Sequence, residues 1–519
     1  MIKYILTTAL SFILLCSYSQ SLEEMIKKRE EAQKAMLKKQ QKGIQKMEED
    51  FNKYVEERDK DFANFLKQNW EEFDKFTGTT LPKIPEPVIP PSYDEKQEKD
   101  RRKDIQNINP VKAKTIIGQG SQQNKLANYK PPLNDYKKEE NTEHDYFSNF
   151  IDVEFNYFGE LITIKTDQSL IQKVKVPLKP KSFSKLWLKL ANSNYANSLR
   201  QIKQHSDRLQ LNDWAFYMLI DAYSKTIHQN DDNNREALCW FLMIKSGYKV
   251  KLAYSNLEIA ILLPTNRQLF ECSYFTINDT YYYLSHELSS SKARTYKKDY
   301  EGSNRILDMS LYREVKLPVE LGARELSFNY NDQQHSLSFN FNRNLIDFFS
   351  SYPILDLGFY LNTAISSTTA ESIKKQLKPF IQGMDEMEMS QFLLTFIHDA
   401  MPYKTDEEQF GREKYFFPEE VFIYPYSDCE DRSALYSYLI KDLVGLETIG
   451  IQSPQHLFTA VKFNQPIGDK IIFEEKVYSV CDPTYIGAKI GDGMPDAMNS
   501  ELIIYPIHNM FMKAKSDFR

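Results

Sequence analysis

The chain has 519 residues, 41% of them hydrophobic, with 33 Phe and 32 Tyr. That length exceeds one ordinary core, and so much apolar mass excludes a wholly disordered chain. Its 66 basic and 72 acidic residues leave a net charge of −6 spread over both signs, without the basic stripe of a nucleic-acid binder.

Residues 1–19 have the pattern of a signal peptide. Lys3 supplies the positive start, Ile5 to Leu15 is an apolar run too short to span a bilayer as a helix, and Ser17 and Ser19 precede a cleavage point before Gln20. Lipid attachment at Cys16 fits less well, because Leu15 stands where a small residue is needed. The expected location is therefore outside the cytoplasm: periplasmic or cell-envelope associated, or extracellular. No transmembrane span is expected after cleavage, since no other run reaches ~18 apolar residues. Four cysteines then remain, Cys239, Cys272, Cys429 and Cys481. A Cys239–Cys272 bridge is compatible with an oxidising compartment.

Residues 20–76 read as one charged helix or coiled coil with an eleven-residue aromatic repeat. Phe51, Phe62 and Phe73 recur at that interval, as do Tyr54, Phe65 and Phe76, and Ile44, Val55 and Leu66. Such a repeat runs nearly straight along a helix and leaves an apolar seam that something must cover. The plain reading is a helical stalk or coiled coil; the sharper one is a helix that docks a protein partner in the envelope or lies on a membrane surface. Residues 77–145 are rich in proline and polar residues and read as an extended linker.

Globular patterning starts at about 146. Residues 146–300 read as an α+β unit: short strands at 155–164 and 171–176, helices over 182–250, then strands over 248–287. Residues 301–370 form a β-rich connection in which Leu326, Phe328 and Tyr330 alternate, as do Leu337, Phe339 and Phe341. Residues 371–519 carry the chemistry.

The segment Tyr424 to Leu435 holds Cys429. Pro425 disfavours helix up to that point, and Ser427 with Glu430 has the spacing of a capping box, so Cys429 falls in the first helical turn. There the helix dipole and unpaired backbone N–H groups favour a thiolate and could hold an oxyanion. The acidic neighbours Asp428, Glu430 and Asp431 oppose ionisation unless turned away or paired, with Arg432 the nearest cation. His456 stands at the entrance of a strand over 457–461, and Asp482 follows a strand over 477–480. Helix-borne Cys, strand-borne His and strand-borne Asp form a nucleophile, base and orienter set. Cys481 points to the opposite face from Asp482 and reads as core. Cys429, His456, Cys481 and Asp482 lack the paired spacing of a structural zinc site, so no metal or cofactor is expected.

Asp428-Cys-Glu-Asp-Arg before a helix, the His456 strand and Cys481-Asp-Pro-Thr-Tyr-Ile-Gly resemble the transglutaminase-like superfamily of papain-type thiol enzymes, over about residues 392–495. The resemblance implies a helix packed on an antiparallel sheet, with Cys429 as nucleophile, His456 as base and then acid, and Asp482 as orienter. It implies hydrolysis or acyl transfer on protein or peptide amides, with cross-linking to an amine as one alternative and a non-catalytic envelope binding or assembly scaffold as another. The family's further oxyanion donor has no clear match; Tyr424 and Tyr426 are the candidates.

The middle of the chain repeats the pattern in eroded form. Arg235, Ala237, Leu238 and Leu242 align with Arg432, Ala434, Leu435 and Leu439. On that alignment Asp232, Asn256 and Ser285 stand at the Cys, His and Asp positions, so this copy is expected to lack the chemistry.

Overall fold

Near residues 251–295 and again near 448–506, runs of Val, Ile, Leu, Phe and Tyr follow directly on an apolar helix, and in both places they fold as strands against it. A computed structural model describes residues 2–80, 91–94, 96, 111–112, 149–311 and 313–507, with side chains from Lys27 onward apart from residues 30–32, 111 and 112. It is an α+β protein with a long N-terminal helix. The expected leader lies outside the residues whose side chains are described. Among the described residues no helix is long and apolar enough to cross a membrane.

Helix α1 (Ile2–Leu66) ends ten residues before the expected limit. Its last carbonyls are taken by side chains: Asn69 Nδ2 donates to Phe65 O at 2.9 Å and Trp70 Nε1 to Leu66 O at 2.5 Å. The chain then turns into strand β1 (Glu71–Asp74). Phe73 thus belongs to a sheet, not to the helical seam. The rest of the seam divides. Val55, Phe62 and Leu66 are buried within the protein, Phe62 meeting Trp187 with ring centroids 4.7 Å apart. Met36, Leu37, Ile44 and Met47 are exposed.

Among its described residues the expected linker is held at Thr79, whose carbonyl accepts the Glu271 N–H at 2.8 Å, and at two later points. Ser92 bridges Ile486, and β2 (Val111–Lys112) pairs in parallel with a strand of the C-terminal sheet. Strands β3 (Phe150–Tyr157) and β4 (Glu160–Asp167) form a hairpin. Four helices follow: α2 (Pro180–Ala191), α3 (Tyr195–Leu209), α4 (Asp213–His228) and α5 (Asp232–Lys245). Strands β5 (Lys251–Ser255), β6 (Glu258–Pro264), β7 (Tyr274–Ile277), β8 (Thr280–Leu284) and β9 (Lys292–Thr295) join β1 in an antiparallel sheet of order β1-β9-β5-β6-β8-β7. The connection holds the hairpin β10 (Leu321–Tyr330) and β11 (Gln333–Asn342), turned by Asn331 and Asp332, both at positive φ (52° and 58°).

Helices α6 (Ser367–Ile381), α7 (Glu386–Ala400) and α8 (Cys429–Leu439) lead into β12 (Thr448–Ser453), β13 (His456–Val461), β14 (Lys470–Phe473), β15 (Lys476–Cys481) and β16 (Ile503–Pro506). Their order is β16-β12-β13-β15-β14-β2. Apart from the edge strands β1 and β2, the two sheets have one strand order, met in the same sequence and each preceded by its helix, α5 or α8.

The strands correct the residue matching between the copies. Ser255 faces Glu258 across the first hairpin as Ser453 faces His456 across the second, so Glu258, not Asn256, stands at the His456 position. At the helix start the expected match holds, because Asp232 opens α5 after the N-cap Asp231 as Cys429 opens α8 after the N-cap Asp428; the neighbouring Asn233 Oδ1 accepts the Ile259 N–H at 2.9 Å, where Cys429 Sγ accepts the Leu457 N–H at 3.4 Å. Ser285 donates its N–H to Ile261 O, the place Cys481 holds opposite Thr459, which leaves His286 for Asp482. One apolar core runs without a break from Phe62 through Trp240 and Phe339 to Leu457 and Ile490.

Candidate functional site

Helix α8 starts where two acids cap it. Asp428 is the N-cap residue, in extended backbone, and Asp431 returns an oxygen to the Asp428 N–H at 3.4 Å. The cap pair is therefore Asp428 and Asp431, one position later than the expected Ser427 and Glu430. Asp431 also accepts the Phe416 N–H at 3.0 Å. The helix is buried almost all round and tied on two sides: Tyr436 Oη donates to Ser390 O of α7 at 3.1 Å, and Ser433 Oγ to Leu457 O of β13 at 3.2 Å. Gly445, at φ +83°, lets the chain leave for β12, a conformation that disfavours a residue with a Cβ.

A two-residue turn of Pro454 and Gln455 makes His456 the first residue of β13, and Ser453 Oγ donates to its carbonyl at 3.1 Å. Strand β15 runs antiparallel beside β13, with Thr459 opposite Cys481. Asp482 therefore emerges next to the histidine. His456 Nε2 and Asp482 Oδ2 are 2.8 Å apart, with both side chains 1% exposed or less. The other carboxylate oxygen accepts the N–H groups of Thr484 (2.9 Å) and Tyr485 (3.1 Å). Burial alone would raise the Asp482 pKa; the His456 charge, its hydrogen bond and these two N–H groups outweigh burial and hold it below the usual value. In the tautomer that carries its proton on Nε2, facing the ionised Asp482, His456 keeps a lone pair on Nδ1. Among the described residues nothing bonds Nδ1.

Cys429 is fully buried at the first helical position. Its Sγ–H donates to Glu430 Oε2 at 2.9 Å, while the sulfur accepts the Leu457 N–H, from the residue next to His456. The three expected residues are thus carried to one end of α8 and its facing strands, and all are closed off from solvent.

Glu430 and His398 were not legible as site residues. Glu430 reads from sequence only as a charge opposing a thiolate, yet it holds the thiol proton. His398 of α7 lies 84 residues upstream of Asp482 and bonds the Asp482 carbonyl through Nε2 at 2.8 Å; only tertiary packing brings it there. Of the oxyanion candidates, the Tyr424 ring stacks on Phe416 at 4.6 Å and the Tyr426 ring faces Lys404 at 5.2 Å. Arg432 does not pair the nearby acids but donates to the Met401 carbonyl and the Ser427 hydroxyl. Burial instead pushes those acids toward protonation: Asp431 up to about 7, Asp406 up to about 8, and Asp428 well above the carboxylate range. Cys481 is core, with burial pushing its thiol up to about 12. Cys239 and Cys272 are thiols, so the compatible bridge is not formed. No protein-family model, curated protein or solved structure matches the chain.

Proposed function

We propose that the C-terminal unit is a cysteine-dependent acyl-transfer site of transglutaminase-like type, acting outside the cytoplasm as a peptidase or amidase on protein or peptide amides. The observation that carries this reading is the buried His456–Asp482 pair, with Nδ1 of the histidine unbonded beside a helix that begins at Cys429. In the proposed cycle, local opening first admits the substrate. His456 Nδ1 takes the thiol proton, and the thiolate attacks the amide carbon to form a C–S bond. The Leu457 N–H and the start of α8 stabilise negative charge on the sulfur before attack. The C–N bond then breaks as His456 returns the proton to the leaving amine. Water, deprotonated by the same nitrogen, attacks the thioester carbon; the C–S bond breaks, the acid is released, and His456 returns the proton to the departing Cys429 sulfur. With a lysine amine in place of water, the same steps cross-link two chains.

A second reading is a non-catalytic binding or assembly scaffold. It is favoured by the complete burial of Cys429 and by the engagement of its thiol proton with Glu430. One experiment separates the two. The purified chain is treated with a peptide bearing an electrophilic carbonyl, and adducts are mapped by mass spectrometry. The enzyme reading expects a Cys429 adduct whose formation slows by about 10²- to 10⁴-fold in His456→Ala. A Cys429 that reacts equally in the parent and in His456→Ala would sink it. Adding a primary amine to a competent enzyme distinguishes amide transfer from hydrolysis by the product formed.

A further inference from the structure

A second group of chemically active side chains lies against the same helix start and is not used in the proposed cycle. Asp406, Asp428 and Asp431 are all buried, and one carboxylate oxygen from each lies within 4.8 Å of the others. Asp406 begins a short helix in the loop after α7, and the other two flank Cys429. Two have backbone donors: Lys414 N–H to Asp406 at 2.6 Å, and Phe416 N–H to Asp431 at 3.0 Å. Asp428 has none. It is 0% exposed, and among the described residues neither of its oxygens has a hydrogen-bond partner. A buried carboxylate in that state is costly unless a proton or a cation meets it. Of the two basic side chains nearby, Lys414 Nζ bonds Glu420 at 2.9 Å, and Arg432 donates to Met401 and Ser427 while its Nη1 has no hydrogen-bond partner among the described residues.

The geometry points to a divalent-cation site formed by Asp406, Asp428 and Asp431, with Ca²⁺ as the fitting ion. The donors are all hard oxygens, which disfavours zinc. Oxygens around one Ca²⁺ lie at about 2.3–2.6 Å from it and so span up to roughly 5 Å, whereas octahedral Mg²⁺ at about 2.1 Å demands a tighter set. The ion would clamp the Asp406 loop to the first turn of α8 and so fix the backbone that carries Cys429. The assignment stands apart from the thiol chemistry, because it requires no turnover.

The test is calorimetric titration of the chelator-treated full chain with CaCl₂, with MgCl₂ in parallel, joined to thermal melts. One Ca²⁺ per chain is expected, with a rise in melting temperature on the order of 5 °C at saturation. Asp428→Asn should weaken binding about tenfold or more. Should that variant not fold, Asp406→Asn, on a separate loop, gives the same information. Absence of saturable binding, with Asp428→Asn as stable as the parent or more so, would overturn the site and assign its occupant as a shared proton. Equal Ca²⁺ binding by parent and variants would also overturn it, and tighter binding of Mg²⁺ would overturn the choice of ion.

Discussion

Asp482 is fully buried yet kept on the ionised side of its titration by one imidazole and two backbone N–H groups. Its work in the proposed cycle is to hold His456 in one tautomer, so Asp482→Asn should leave the fold in place and slow adduct formation at Cys429 by on the order of 10⁴-fold, read by the peptide-electrophile assay. Another histidine has the opposite surroundings. His228 ends α4 with neither ring nitrogen bonded among the described residues, and burial pushes its pKa down from 6.5 to about 4. Its folded form therefore binds fewer protons than the unfolded chain between those values, so stability is intact above pH 6.5 and falls as pH drops toward 4. His228→Gln should flatten that part of the melting-temperature profile, and an unchanged acid slope would contradict the assignment. The grouping of Cys429, His456 and Asp482 was legible because each sits on a local signal: a helix start, a hairpin end, a strand end. Glu430, His398 and Asp406 carry no such signal. Their partners are set by tertiary packing or, for Glu430, by a side-chain direction that spacing does not encode.

At the scale of the element, α1 is two helices in function. Its exposed upstream part touches little, while its last turns are built into the core. Asp59 there is 4% exposed and accepts from Lys245 Nζ at 2.5 Å, Tyr300 Oη at 3.0 Å and Trp187 Nε1 at 3.2 Å. Asp59→Ala would strand the Lys245 ammonium, itself 2% exposed at the side chain, and should cost about 3–5 kcal/mol in chemical denaturation. Removing residues 20–50 should change stability by less than about 0.5 kcal/mol, since the described side chains in that stretch are exposed apart from a half-buried Glu48. The eleven-residue repeat correctly marked Val55, Phe62 and Leu66 as one face. It could not mark the stop, because no glycine or proline ends the helix; Asn69 and Trp70 do so by folding back on the terminal carbonyls.

For the whole molecule, the recurrence of one strand order behind α5 and α8 is the feature that sequence matching caught in outline and misplaced in register. A two-residue error arose because the hairpin turn, not the helix alignment, sets which residue starts β6 and β13. The two sheets contribute to one uninterrupted core, from Phe62 to Ile490. A single calorimetric unfolding transition is therefore expected for residues 150–507. Two resolved transitions would show that the halves unfold separately.

The seclusion of Cys429 has a kinetic consequence. A thiol with no path to solvent reacts only in the fraction of time that its surroundings are open, so its labelling rate is a clock for local opening rather than a measure of nucleophilicity. Cys272, partly exposed already, keeps no such time. Urea below the unfolding range should then speed alkylation of Cys429 while leaving that of Cys272 nearly constant, and peptide mapping of the two adducts against time would read the gate directly.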